Sequence, residues 1–256
     1  MKIEQVAAQL YTLRDYLKTP EDYQESLQKV AEIGYRSVQI SGPRPISERE
    51  IASLCAEKGL VINSSHENSE LVISDPGKIV ENLEAFGCRY TAYPSPKGVD
   101  LTSAVDVMRM IRGLENAGRV LKEAGKVLTY HNHGDELNLL DGIPVLERIY
   151  AESDPELLQG EIDTYWVHVG GASPEAWCAR LRDRMPLLHI KDVILGEDEK
   201  PVFGEIGYGI LDFKTIIATA EASGCEWFIV EQDKCPGDPF ESLEKSFRYI
   251  RDHLVD

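Results

Sequence analysis

One arrangement recurs along the chain. An amphipathic segment closes near a glycine, and within a few residues a short apolar run begins. It appears in LQKVAEIGYRSVQIS, IASLCAEKGLVINSS, IVENLEAFGCRYTAYP, AGRVLKEAGKVLTYHNH and IIATAEASGCEWFIVEQD. Gly34, Gly59, Gly87, Gly125 and Gly224 each stand where a helix ends best on a residue that accepts a left-handed backbone. The runs that follow are too short for helices and are bounded by turn residues, as parallel strands covered on both faces are. VAAQLYT, LQGEIDTYW and PLLHIKDV add three more, so the spacing predicts eight strands, at about 6–12, 37–41, 61–66, 90–94, 127–132, 160–165, 187–191 and 227–231. Helices are predicted between them, including 20–33, entered through Thr19 with Pro20 in the first turn, and 101–124, entered through Asp100.

Strands alternating with helices imply right-handed βαβ units. Eight such units in 256 residues favour an α/β chain folded as a single closed (β/α)8 barrel over an open doubly wound sheet. One domain is expected over 1–256. No GxGxxG follows the first strand, so hydride transfer lacks its dinucleotide site. No apolar run approaches the ~20 residues that span a bilayer. The opening MKIEQVAAQLYTLRD lacks the basic and apolar regions of a signal peptide, and a cytoplasmic location is expected. A formal net charge of −17 argues against nucleic acid or an anionic membrane as partner. A small anionic substrate stays compatible, because a bound cation can invert the local field. The five cysteines are an odd number without a CxxC pair and are expected as reduced thiols, with Cys55, Cys88 and Cys225 as core filler.

In an α/β barrel the side chains at the carboxyl ends of the strands face one mouth. Here those ends carry Gln9 and Tyr11, then Gln39, His66 and Tyr93 on the first four strands. The fifth run, TYHNHGDEL, brings His131 and His133, with Glu136 just beyond. Asp163 ends the sixth strand, His189 and Lys191 the seventh, and Glu231 and Asp233 the eighth. With His168 counted, five of the six histidines fall near the mouth, and only His253 lies in the C-terminal helix. A lone strand-end acid is often a helix N-cap, and a lone buried histidine is often a satisfied core residue. Acids and imidazoles ending four consecutive strands converge on one volume, where the carboxylates would repel and take up protons without a cation. A divalent metal removes that conflict, and mixed carboxylate and imidazole ligation suits Mn²⁺, Zn²⁺, Co²⁺ or Fe²⁺ better than Ca²⁺.

These residues carry a family resemblance. The chain resembles the xylose isomerase-like TIM-barrel superfamily of sugar isomerases, epimerases and endonuclease-IV-like proteins. Within it the match is to an inosose dehydratase-like bacterial branch marked by YHNHxxE, here Tyr130-His131-Asn132-His133-Gly134-Asp135-Glu136. EIDTYWVHVGGASP (161–174), LLHIKD (187–192), GEIGYGILDF (204–213) and FIVEQD (228–233) accompany it through the second half. The first half matches in architecture and in pieces such as AAQLYTLRD. The resemblance implies a metal held by a carboxylate on strand 5 together with Asp163, His189 and Glu231. The strand-5 position departs from the pattern, because His131 stands roughly where relatives have Glu. Either His131 replaces that carboxylate or Glu136 reaches back from the loop. Keeping three carboxylates and one imidazole preserves the net charge, which favours Glu136.

Position then suggests roles. His133 shares a strand face with His131 if the extended geometry persists, and both, with Glu136, are acid/base candidates. Lys191 follows His189 by two and faces the mouth, as a general acid, as a stabiliser of a developing enolate, or as an ion-pair partner of Asp192 or Asp163. Gln9, Gln39, His66 and Tyr93 are candidates to bind substrate hydroxyls, with the start of a loop as the alternative for His66; Trp166 offers a face for a sugar ring, with a buried core position as the favoured alternative, and Trp177 and Trp227 read as structural. GEIGYG (204–209) lacks phosphate-loop spacing and is expected to bend over the mouth. The activity implied is metal-dependent isomerisation or epimerisation of a sugar or keto-sugar through an enediolate. Dehydration or lyase chemistry on a 3-keto-sugar or inosose is the alternative outcome. An endonuclease IV-like phosphodiesterase is disfavoured by the acidity and by the lack of a basic stripe. A non-catalytic sugar-binding subunit would go with a metal-free mouth. Homodimers are common among such relatives, and a homodimer is compatible with this chain.

Overall fold

Each apolar run forms a strand of one closed barrel in the computed structural model, which describes residues 1–196 and 198–255. The barrel strands are β1 (Val6–Gln9), β2 (Ser37–Ile40), β3 (Val61–His66), β4 (Tyr90–Tyr93), β5 (Val127–His131), β6 (Gln159–Asp163), β7 (Leu187–Ile190) and β8 (Trp227–Val230). They pair in parallel in sequence order, and β1 closes the ring against β8 through Val6↔Phe228, Ala7↔Ile229 and Ala8↔Val230. All five glycines of the recurring pattern take positive φ. At Gly87, φ is 73°, a left-handed turn that lets the helix Pro76–Phe86 stop and the chain reverse into β4.

Helix α1 (Pro20–Ile33) begins where its cap predicts, because Thr19 and Asp22 form a reciprocal capping box ahead of Pro20. Three boundaries differ from the sequence expectation. Strand β1 stops at Gln9, whose side chain accepts the Tyr11 N–H, and the chain turns into a 3-10 helix over Leu10–Tyr16. The helix expected from 101 begins at Ala104, capped by Ser103, while Asp100 binds the N–H and hydroxyl of Thr102. Strand β6 ends at Asp163, which caps the helix Thr164–Val169 through its own carboxylate.

The alternation of side chains along the strands grades the barrel interior from apolar to polar. Ala7, Tyr90, Leu187 and Ile229 form a small buried cluster at the amino-terminal end. Two residues further along the same strands stand Gln9, His189 and Glu231, and two beyond those last two stand Lys191 and Asp233. The opposite faces of the strands pack with the helices in the main core, which includes Val38, Ile40, Ile162, Leu188, Ile190 and Phe228. Cys55, Cys88, Cys178 and Cys225 are buried free thiols, and Cys235 is partly exposed. None of the helices among the described residues is long and apolar enough to cross a membrane.

After β7 the chain forms an antiparallel hairpin, Asp192–Leu195 with Pro201–Gly204, which the sequence reading does not contain. Its Phe203 stacks on Tyr165 with ring centroids 4.0 Å apart. The GEIGYG segment, expected over the mouth, is bound elsewhere. Its Ile206 N–H donates to Ser246 Oγ and its Glu205 pairs with Lys245, both partners lying on the helix Pro239–His253. The buried Asp192 carboxylate accepts the N–H groups of Gly207, Gly209 and Leu211 and fixes that course.

Close packing gives the fold a test. Gly118 lies on the long helix Ala104–Glu123, and a Cβ there would sit 2.0 Å from the Leu157 carbonyl oxygen. Gly→Ala on an open helix face stabilises by about 1 kcal/mol. Gly118→Ala is predicted instead to destabilise by about 1–3 kcal/mol through overpacking, read by urea denaturation. A stabilised variant would contradict the helix-to-loop packing.

Candidate active site

At the carboxyl ends of β5 to β8 the strand register sets His131 beside Glu161 and Asp163 beside His189. Ligand atoms of His131, Asp163, His189 and Glu231 all lie within 4.8 Å of one another. A second set, His66, His131, Glu161 and His189, meets the same limit and shares two of those histidines. Apart from His66, which is partly exposed, every member of both sets is buried.

The deeper set is held by hydrogen bonds. Glu161 Oε1 lies 2.5 Å from His189 Nε2 and 3.1 Å from His66 Nε2, and it accepts from Gln39 Nε2 at 2.7 Å. Its Oε2 accepts from Thr129 Oγ1 at 3.1 Å. Burial works against ionisation of Glu161, yet the two imidazoles hold its pKa below the usual carboxylate range. Gln39 Oε1 in turn accepts from Gln9 Nε2 and lies 2.8 Å from His189 Nε2. Gln9 and Gln39, expected to face substrate, are fully buried beneath the mouth and are used in this network.

The outer set faces the mouth. His189 Nδ1 lies 2.9 Å from Glu231 Oε2 and 3.9 Å from Asp163 Oδ2, and His131 Nε2 lies 3.9 Å from the same Asp163 oxygen. Lys191 Nζ stands among the acids, 2.6 Å from Glu231 Oε2 and 2.9 Å from both Asp163 Oδ2 and Asp233 Oδ2. Burial opposes its charge, but the three carboxylates keep its pKa well above a lysine's usual range. Burial pushes Asp163 up to about 6 despite Lys191 and His189, whereas at Glu231 the same two neighbours outweigh burial and hold the carboxyl low. His189 is opposed by burial but raised to about 9 by Glu161 and Glu231. Burial and the adjacent histidines keep His131 well below the usual imidazole range.

The donor chemistry fits a divalent cation. Two carboxylates and two imidazoles converge; Asp163 Oδ2 accepts no hydrogen bond, its close neighbour being the Lys191 ammonium at 2.9 Å, and His131 Nδ1 is buried without a hydrogen-bond partner. Glu136 is not among the converging groups. Its Oε1 accepts from Tyr130 Oη at 3.0 Å and its Oε2 from the His133 N–H at 3.0 Å, and the carboxyl is fully buried with its pKa raised by that burial. The structure therefore brings His131, and not Glu136, to the strand-5 corner. Glu136 ties down the loop that carries His133.

A cavity of about 420 Å³ opens above the outer set, with His66, His131, His133, Lys191, Glu231 and Asp233 in its wall. His133 follows the end of β5 but still reaches the mouth, its ring 5.1 Å from that of His131 and 5.4 Å from Trp166. Burial lowers the His133 pKa to about 4. Trp166 thus backs His133. Tyr93 is buried against Tyr130 and opens on a neighbouring cleft. Arg44, also in the cavity wall, makes two 3.0 Å hydrogen bonds to the buried Glu67, which Asn82 holds from behind.

The sequence reading missed Glu161, although it precedes Asp163 by two on one strand and so shares its face. It also missed Asn132, whose Oδ1 accepts the Asp163 N–H at 3.1 Å, and the Arg44–Glu67 pair. Those two contacts join residues 31 and 23 positions apart and have no local signal.

Comparison with known proteins agrees with this architecture. A family model described as xylose isomerase-like TIM barrel matches residues 27–253. Inosose dehydratase of Lacticaseibacillus casei is 28% identical over 162 residues, covering 56% of this chain and 53% of that protein. The chain thus spans about half the length of several curated relatives it matches. Inosose dehydratase of Geobacillus kaustophilus aligns over 90% of this chain and 86% of its own length at 23% identity. Among solved structures, a sugar phosphate isomerase/epimerase from Parabacteroides distasonis superposes with a TM-score of 0.82 at 24% identity, covering 99% of this chain and 96% of that one. An L-ribulose 3-epimerase does so with 0.75 at 15% identity, covering 99% and 95%. At these identities the superpositions show the fold.

The site geometry separates the two candidates for the strand-5 corner. Glu136→Gln protein purified without chelator is predicted to keep wild-type metal content by elemental analysis, whereas Glu231→Ala loses the metal. Loss of metal in Glu136→Gln alone would return the ligand role to Glu136.

Proposed function

The chain belongs to the xylose isomerase-like TIM-barrel family, and from that premise we propose that it is a divalent-metal-dependent enzyme that removes a proton next to the carbonyl of a sugar or keto-sugar. The observation that carries this reading is the convergence of His131, Asp163, His189 and Glu231 beneath a cavity whose wall includes His66 and His133. The four converging residues would hold the cation, with Mn²⁺, Zn²⁺, Co²⁺ or Fe²⁺ matching the donors. When bound, such an ion stabilises negative charge on a substrate oxygen as the α-proton leaves.

The chain's own residues supply the rest. His133 lines the cavity as an uncharged imidazole, burial lowering its pKa to about 4, and from that position it accepts the α-proton on its ring. Lys191, held as an ammonium by three carboxylates, serves as a hydrogen-bond donor from Nζ and not as a base. The Glu136 carboxylate orients the loop through the His133 N–H. The cations in the cavity wall, Arg44 and Lys191, are both bound to carboxylates, which suits an uncharged polyol better than a sugar phosphate.

Return of the proton to another carbon or the opposite face gives isomerisation or epimerisation. Loss of a β-hydroxyl gives dehydration, and two observations favour keeping that outcome beside the first. Several sequence relatives carry the name inosose dehydratase. The cavity also holds a second imidazole, His66, which can take part in proton transfer beside His133.

Incubated with Mn²⁺ in D₂O and a panel of unphosphorylated keto-sugars and inososes, the protein is predicted to exchange an α-proton of at least one of them, followed by NMR. Chelation abolishes the exchange, and His133→Asn slows it by about 10²–10⁴-fold with metal content unchanged. Absence of exchange across the panel with fully loaded protein would contradict the proposal. Growth of an enone absorbance would assign dehydration.

A further inference from the structure

We infer that Glu161 is a positioning residue that fixes the proton tautomers of two imidazoles at once, His189 toward the metal group and His66 toward the cavity. The inference rests on the metal reading of the outer set. Around His189 Nε2 stand two groups that can only accept, Glu161 Oε1 at 2.5 Å and Gln39 Oε1 at 2.8 Å. The Gln39 amide is oriented by its other end, where Nε2 donates to Ser64 Oγ and to Glu161. His189 Nε2 must therefore keep its hydrogen when a cation binds, and Nδ1, on the side of Glu231 and Asp163, is the nitrogen that the cation would take. His66 Nε2 donates to the same Glu161 oxygen at 3.1 Å, and its ring is stacked on His189 with centroids 5.2 Å apart and planes within 8°. That leaves His66 Nδ1 for the cavity its ring lines.

Glu161 does not act as a ligand itself. Four donors already occupy its two oxygens, from Gln39, His66, His189 and Thr129. A dication at the deeper set would have to displace them. One carboxylate thus sets the direction of a metal-facing ring and of a substrate-facing ring, which makes metal affinity and substrate positioning depend on one side chain that touches neither.

The test uses Glu161→Gln, which keeps an acceptor for His189 and the volume of the side chain, with Glu161→Ala as the harsher variant. Zn²⁺ affinity is measured by competition with a chromophoric chelator, and ring tautomers by long-range ¹H–¹⁵N spectra of the zinc-loaded protein. Glu161→Gln is expected to weaken Zn²⁺ binding by about 10–100-fold. In the wild type, His189 and His66 are expected as Nε2–H tautomers, and in the variant the His66 signal shifts toward a mixture. Unchanged affinity and tautomers in a folded Glu161→Gln would overturn the inference while leaving the metal site standing. A wild type that binds no Zn²⁺ would overturn the metal reading and this inference together. If Glu161→Ala fails to fold, the Glu161→Gln comparison alone decides.

Discussion

Three carboxylates, Glu161, Asp163 and Glu231, are buried within one barrel mouth, and the rest of the site is arranged to make that tolerable. Leaving one buried charge without a partner costs about 3–5 kcal/mol. Glu161 is answered by two imidazoles, an amide and a hydroxyl. Asp163 and Glu231 are answered by Lys191 and His189. Asp163 Oδ2 still accepts no hydrogen bond, although Lys191 Nζ lies 2.9 Å away, and burial pushes the Asp163 carboxyl up to about 6 despite Lys191 and His189. The divalent cation proposed between His131, Asp163, His189 and Glu231 would supply positive charge there.

The barrel makes this possible through the period of its strands. Alternation sends every second residue inward, so the same strands that close the amino-terminal end with Ala7, Leu187 and Ile229 deliver Gln9, His189 and Glu231 one step higher. The polar layer beneath the mouth is a support and not a binding surface. Gln9 and Gln39 hold Glu161 and His189, which hold the mouth, while the loop residues His133 and Glu136 complete it from the side. Arg44 on Glu67 and Lys191 on its acids leave a cavity wall that offers hydrogen bonds more readily than free charge.

Much of this was legible in the chain. The five positive-φ glycines and the apolar runs after them locate the strands, because helix termination and strand burial are local properties. Asp163, His189 and Glu231 were readable as strand-end residues for the same reason. What was not legible depends on side-chain direction. Glu136 is one loop away from the metal group by sequence, yet Tyr130 and the His133 N–H capture its carboxylate first. Gln39 looked like a substrate contact from its place at a strand end, but its neighbours on three other strands turn it into a strut. The hairpin Asp192–Leu195 with Pro201–Gly204 escaped because two short antiparallel runs inside a βα loop mimic a strand tail and a turn.

A cation held by His131, Asp163, His189 and Glu231, with Glu136 outside the set, can be sought directly. A crystal structure of the protein grown with Mn²⁺, with an anomalous difference map at a wavelength where manganese scatters strongly, addresses it directly. One peak is expected, bonded to His131, Asp163, His189 and Glu231, with Glu136 still on Tyr130 and the His133 N–H. A peak bonded to Glu136, or no peak at saturating Mn²⁺ with Lys191 still lying between Asp163 and Glu231, would contradict it.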